Sequence, residues 1–230
     1  MAYDFDAMKT YIGEYVDNTD GSFKTKIGKD INRLYEEVWR EIDWTDGTDD
    51  DYTFESVADQ QLYDLPSDFE KPVYMVNINT GKIILPYKIA EYWREEGTDY
   101  SEDTTQSGTT SRYVILEESG KFKLSPTPDT AETYAFPYKK QFVSLSDDTD
   151  VVAIQGMDRI LELGAISMAY GRLEQHSKSD LFNQKYLIAL HKRIVQERQR
   201  ANYRFQRTPE KRWWGRSIER LTGDIPYDGV

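Results

Sequence analysis

At 230 residues, with 13% aromatic residues and seventeen tyrosines, the chain is long enough for one domain or two closely joined ones and too aromatic to be disordered. The absence of cysteine excludes disulfides and thiolate metal sites, and no apolar run approaches the roughly eighteen residues of a transmembrane helix. A formal net charge of −12 argues against a surface that grips nucleic acid all over, because phosphates would be repelled.

The first residues, Met1-Ala2-Tyr3-Asp4-Phe5-Asp6, lack the basic and apolar regions of a signal peptide, so the protein is expected to be cytosolic when made. Met8, Tyr11, Ile12, Tyr15 and Val16 recur at helical spacing and predict a short helix from about Asp4 to Val16. A turn follows at Asn18–Ser22, where Ser22 can accept an orphan backbone N–H as the cap of the next helix. In that helix Ile27, Ile31, Leu34, Tyr35, Val38 and Ile42 form one stripe, and it stops near Asp43-Trp44.

From Tyr52 the period changes to alternation. Tyr52–Phe54, Gln61–Leu65 and Pro72–Ile78 read as strands, and Asn79-Thr80-Gly81-Lys82 turns the last of these back into Ile83–Leu85. Ile89–Arg94 reads as a helical turn and Gly97–Ser111 as a long polar loop. A second hairpin joins Tyr113–Leu116 to Phe122–Leu124 through Glu118-Ser119-Gly120, with Pro126 and Pro128 ending it. Tyr134–Leu145 reads as a further strand, kinked or at an edge because of Pro137. Five to seven strands in this window make an antiparallel sandwich or small barrel.

Helical periodicity returns after Asp150. Ile160, Leu161, Leu163, Gly164, Ile166, Ala169 and Tyr170 give one wide apolar face; Ser179 or Asp180 caps a last helix to about Phe205, with Leu187, Leu190, Ile194 and Ala201 as its stripe. The fold class expected is therefore α+β, a helical bundle interrupted by a β insertion. The divisions are 1–50 for the N-terminal helices, 51–150 for the insertion, 151–206 for the C-terminal helices and 207–230 for an extended arm.

Charge is distributed unevenly. Lys185–Arg220 carries eleven Lys or Arg against Glu197, Glu210 and Glu219, so this stretch is +8 and the remainder −20. It breaks at Thr208-Pro209 and then presents Trp213-Trp214. Three readings follow: a solvated helical face with the tryptophans folded back, a nucleic-acid contact with bases stacked on tryptophan, and an arm that docks on an acidic partner or a neighbouring subunit with Trp and Arg as anchors. The third is favoured.

Catalytic patterns are missing. His176 and His191 lie among polar helical residues and read as surface histidines, and no nucleophile elbow, zinc helix or phosphate loop occurs. Asp17-Asn18-Thr19-Asp20-Gly21 starts like a calcium loop. Aligned on its glycine, however, it puts Val16 and Ile27 where ligands belong. Asp43–Asp51 has oxygens but no register, and reads as a solvated loop. No metal or cofactor is expected.

Several stretches together resemble the head-to-tail connector, or adaptor, proteins of tailed bacteriophages: Ile31–Trp39, Gln61–Lys71, Phe122–Pro128 with Tyr134–Tyr138, and the helix pair after Asp150. The likeness spans Ala7–Phe205. It implies a non-enzymatic structural protein of the virion neck, assembled in the host cytoplasm as a ring, commonly of twelve copies, below the portal. Its partners would be the portal and a tail or neck protein, with DNA passing through the channel unbound and no membrane involved. In that family a C-terminal segment often reaches the portal. By position and chemistry, that role falls to Arg204, Arg207, Lys211, Arg212, Trp213, Trp214, Arg216, Arg220 and Tyr227. The long insertion and the loop Gly97–Ser111 depart from smaller family members and offer a contact for a tail protein. The alternatives are a nucleic-acid-binding packaging or regulatory protein using the basic arm, and a carbohydrate-active tail enzyme with carboxylates in the insertion.

Overall fold

The computed structural model describes residues 3–88, 107–116 and 119–207, with residues 201–207 described by backbone alone. Among these the chain forms helices α1 (Phe5–Tyr15) and α2 (Gly21–Glu41), then twelve short strands, then helices α3 (Asp158–Arg172) and α4 (His176–Arg207). The strands are β1 (Thr48–Asp49), β2 (Thr53–Glu55), β3 (Leu62–Asp64), β4 (Phe69–Pro72), β5 (Met75–Asn77) and β6 (Ile83–Pro86). After them come β7 (Ser107–Gly108), β8 (Arg112–Leu116), β9 (Lys121–Ser125), β10 (Thr127–Pro128), β11 (Thr133–Ala135) and β12 (Tyr138–Lys140). The described residues fall into two compact units. One takes the chain up to Met8 and then Asn32–Met157; the other takes Lys9–Ile31 and the chain from Asp158 onward.

The β-rich unit is built on a seven-stranded sheet of order β2-β11-β5-β6-β8-β9-β3, beside a three-stranded sheet β1-β12-β4. The Gly81 turn (φ 69°) closes β5 onto β6, placing Val76 opposite Ile83. The sheet curls until its outer strands meet: Phe54 on β2 lies 5.4 Å from Tyr63 on β3 and 4.9 Å from Phe122 on β9. Alternation along each strand sends Phe69, Met75, Ile84, Tyr113, Phe122, Leu124, Tyr134, Phe136 and Tyr138 into one buried cluster. Phe136 is its hub, with the rings of Tyr52, Phe54, Phe69, Tyr113 and Phe122 all within 6.5 Å. Strands of two to five residues hold little alone, and this cluster is what binds them.

The insertion between helices is as the periodicities predict, but the strands are mixed, not purely antiparallel: β6 pairs β8 in parallel, as does β7 with β10. Nor is Tyr134–Leu145 a single strand. Pro137 lacks the N–H to continue a ladder, and the chain turns a corner there, so β11 joins the seven-stranded sheet and β12 the three-stranded one. Pro72–Ile78 also divides, with Pro72 closing β4 and the Val73 N–H donating to the Pro137 carbonyl at 3.0 Å. The predicted helical turn Ile89–Arg94 and most of the loop Gly97–Ser111 lie outside the described residues.

In the helical unit, helix ends are made by short polar devices. At the end of α1, Asp17 takes a left-handed conformation (φ 56°), its N–H donating to the Glu14 carbonyl and the Asn18 N–H to the Gly13 carbonyl at 2.9 Å. Two residues on, the Asp20 carboxylate accepts from the Ser22 and Phe23 N–H groups and the Ser22 hydroxyl, capping α2. The cap is therefore Asp20, not Ser22. The calcium-like run is two helix terminators set back to back. Glu174 (φ 58°) repeats the motif after α3, with Glu174 N–H on the Gly171 carbonyl and Gln175 N–H on Tyr170. Because α4 begins at His176, neither Ser179 nor Asp180 caps it. Instead Ser179 and Ser167 exchange hydroxyl-to-carbonyl hydrogen bonds at 2.9 and 2.8 Å, stitching α3 to α4.

Candidate docking surfaces

Charge separates the two units. Among the described residues the β-rich unit holds 20 acidic against 10 basic side chains, a net −10, and the helical unit 9 against 14, a net +5. Much of the acidity is already used. In the loop after α2, Asp43 pairs with Lys71 at 2.6 Å, Asp49 with Lys140 at 3.2 Å, and Asp46 accepts the Gln155 N–H at 3.1 Å. Lys139 donates to the Trp44 carbonyl, and the Trp44 indole N–H to the Val38 carbonyl at 2.8 Å. Asp43–Asp51 is thus tied to β4, β12 and α2, and no described cluster of His, Asp and Glu is arranged to hold a metal ion. No described helix is long and apolar enough to cross a membrane.

Burial and hydrogen bonding shift several groups. The Tyr113 phenol is pushed up to about 12 by burial. Tyr138 is also raised, by burial and by the Asp68 carboxylate that accepts its hydroxyl at 2.7 Å. Asp20 is lowered by the Ser22 hydroxyl and the Phe23 N–H. Asp150 is lowered by the N–H groups of Asp147 and Ser146, which it gathers at 2.8 and 2.6 Å. The Asp150 and Asp148 carbonyls in turn accept the first N–H groups of α1, from Phe5 and Asp6. These carboxylates brace turns and helix ends; they are not poised in a cleft for proton transfer.

The helical unit carries the basic half of the chain. Its interior joins Tyr170 and Phe182, and the exposed Tyr15 lies edge-on to Phe182 at 5.5 Å. Arg172 clasps the buried Asp30 through two hydrogen bonds of 3.0 and 2.5 Å, which hold the guanidinium charged. Along α4 the buried side chains are Phe182, Tyr186, Ile194 and Glu197, the last paired with Arg193 at 2.7 Å. Of the predicted stripe, Ile194 is buried and Leu190 half-buried, but Leu187 is exposed, and Phe182 and Tyr186 take the inward positions instead. The outward side carries Leu181, Leu187, Ile188 and Val195 among Lys185, Lys192 and Arg198.

Of the predicted partner-binding residues, Arg204 and Arg207 belong to the last turns of α4, without described side chains. Lys211, Arg212, Trp213, Trp214, Arg216, Arg220 and Tyr227 lie outside the described residues. The structure adds two surfaces the sequence reading missed. One is the outward face of α4. The other is the outward face of the β5–β6 hairpin, where Tyr74, Ile78, Ile83 and Leu85 are exposed while Met75, Asn77 and Ile84 point in. The seven-residue interval of Leu181, Ile188 and Val195 is the signal that marks the first.

No curated protein matches the sequence. A family model described as SU10 adaptor protein matches residues 3–210, covering the helices at both ends and the strands between them. The chain belongs to the SU10 adaptor protein family, the head-to-tail adaptors of phages.

Proposed function

We propose that the protein is a non-enzymatic ring component of the virion neck, sitting below the portal with the tail on its other side. The observation that carries this reading is the family match over residues 3–210. The ring holds twelve copies, following the resemblance of the sequence to phage connectors. Its acidic β-rich surface keeps DNA from sticking as it passes. In this reading 51–150 is an insertion offered to a tail or neck protein, carried on a bundle made by 1–50 and 151–206. The segment 207–230 is the docking arm, with Arg204, Arg207, Lys211, Arg212, Trp213, Trp214, Arg216, Arg220 and Tyr227 meeting acidic surface on the portal. Assembly takes place in the host cytoplasm.

Co-expression with the portal protein of the same phage tests this directly. The two should co-sediment, and replacing Trp213 and Trp214 together by Ala should abolish that while leaving the helical circular dichroism unchanged. Failure to co-sediment would sink the adaptor reading. Loss of helicity in the double variant would instead place the tryptophans in the core. DNA binding that weakens with salt and disappears on deleting Arg207–Val230 would move the function to nucleic acid.

A further inference from the structure

We infer that the outward side of β6, β8 and β9 is the docking surface of an acidic segment, and that the segment is this chain's own 89–106. The docking goes beyond the adaptor reading and does not depend on it.

The strands themselves set the path. β6 and β8 are parallel neighbours in the interior of the seven-stranded sheet, with Leu85 opposite Arg112 and Pro86 opposite Tyr113. The chain leaves β6 alongside β8, where the Tyr87 N–H donates to the Tyr113 carbonyl at 2.8 Å. It comes back past the far end of β9, with Ser107 opposite Thr127 and the Thr110 hydroxyl on the Pro126 carbonyl at 3.1 Å. Parallel neighbours inside a sheet are joined by a connection that crosses one of its faces. The inward face is filled by Ile84, Tyr113, Phe122 and Leu124. The crossing therefore runs over the outward face, from the end of β6 across β8 and β9.

That face carries the marks of a cover. Tyr113 and Leu124 point into the cluster, so Val114, Lys123 and Ser125 next to them point out. Yet Val114 is 0%, Lys123 6% and Ser125 5% exposed. On β5, one strand beyond β6, Ile78 on the same side is 51% exposed.

Charge says what the cover is. Residues 71–88, 107–116 and 119–128 hold six cations, Lys71, Lys82, Lys88, Arg112, Lys121 and Lys123, and no acid, inside a unit of net −10. Segment 89–106 holds six acids, Glu91, Glu95, Glu96, Asp99, Glu102 and Asp103, against Arg94 alone. Lys71 is paired with Asp43 and Lys121 with Asp64, which leaves the middle of the face to the segment. A buried ammonium is held by an anion, and the cross-strand neighbours of Lys123, Leu62 and Val114, are apolar. The docked segment supplies that anion, and Ile89, Tyr92 and Trp93 at its start supply apolar surface for Val114. Tethered at both ends of the face, it outcompetes an external polyanion through its effective concentration.

The chain has no cysteine, so Val114→Cys adds a single small apolar thiol to the full chain. Its alkylation by a maleimide should be slow, and about tenfold or more faster when 89–106 is replaced by a Gly-Ser linker of equal length, with unchanged circular dichroism. Equal rates would mean that other residues cover the face, and would overturn the inference. A second measurement leaves the segment in place and so stands even where the linker chain fails to fold. Leu62→Cys combined with Ser101→Cys, treated with a short bismaleimide, should link within one chain. Absence of that link would overturn the inference. So would links between two chains, which would give the face to the segment of a second copy. The adaptor reading fails separately, by absence of co-sedimentation with portal.

Discussion

In the β-rich unit eight buried side chains gather around Phe136, and strands too short to persist alone become one structure through that cluster. In the helical unit the backbone hydrogen bonds are satisfied within each helix, buried side chains such as Ile12, Ile27, Leu161 and Ile166 pack the helices together, and a handful of polar devices fixes their ends and register. These are the Arg172–Asp30 clasp, the paired serines 167 and 179, and helix ends turned by Asp17, Asp20 and Glu174. The difference teaches where each unit is vulnerable. A cluster fails as a whole when its hub is removed, whereas separate clasps and caps fail one at a time. It also bears on surfaces. A helix such as α4 keeps its shape with one face uncovered, and can carry Ile188 outward at little cost to its fold.

The comparison breaks most visibly at Phe136. Phe136→Ala removes a ring in contact with five others and should cost about 3–5 kcal/mol. Urea unfolding should show it, with hydrogen exchange rising first in β5, β8, β9 and β11. A loss below 1 kcal/mol would mean that the cluster repacks freely and is not what joins the strands.

The nearest equivalent in the helical unit is Arg172. Arg172→Ala leaves the buried Asp30 carboxylate without its bidentate partner. The arginine side chain is 44% exposed, so the cost should fall below that of a fully buried pair, at about 2–3 kcal/mol. Replacing Asp30 by Asn and Arg172 by Met together should cost less than Arg172→Ala alone, because no charge is then stranded. Equal costs for the single and double variants would show that the clasp is solvated.

Acid should loosen both units through different residues. Asp20 in the helical unit and Asp150 in the β-rich unit both have folded pKa values below the ordinary carboxylate value. The unfolded chain therefore takes up their protons first. Their stabilisation is complete above about pH 3.9 and is lost as pH falls through the lower, folded values. Asp150→Asn and Asp20→Asn should each flatten the acid limb of the stability curve. If neither changes its slope, the hydrogen bonds drawn to these carboxylates contribute nothing in solution.

Local rules made parts of this fold legible and left others hidden. The α2 stripe from Ile27 to Val38 and the Gly81 hairpin follow from period and turn chemistry, which act over a few residues. The parallel pairing of β6 with β8 spans a long connection and is set by the shared aromatic cluster, which no local pattern announces. On α4, apolar identity pointed to Leu187 as core, whereas Phe182 and Tyr186 are inside and Leu187 is out. A helix with apolar residues on two sides has no single phase, and period alone does not say which side is buried. The predicted arm residues from Lys211 to Tyr227 were singled out by charge and tryptophan content, properties that specify chemistry without placing it.

The smallest effect tests the helix terminators, and it should differ between two chemically similar sites. Glu174 and Asp17 both sit in the left-handed region, at φ 58° and 56°, where a side chain costs about 1–2 kcal/mol. Glycine relieves that strain but adds freedom to the unfolded chain worth about 0.4–1 kcal/mol, so the net gain lies between about zero and about 1.6 kcal/mol. Aspartate tolerates this conformation better than glutamate, because its short carboxylate can bond locally. Glu174→Gly should therefore stabilise the protein more than Asp17→Gly, as measured by the midpoint of thermal unfolding. The reverse order would mean that Glu174 is held by its side chain and not merely tolerated. The α3–α4 turn would then join Arg172 as a side-chain clasp, and the contrast between the two units would rest on the caps at Asp17 and Asp20 alone.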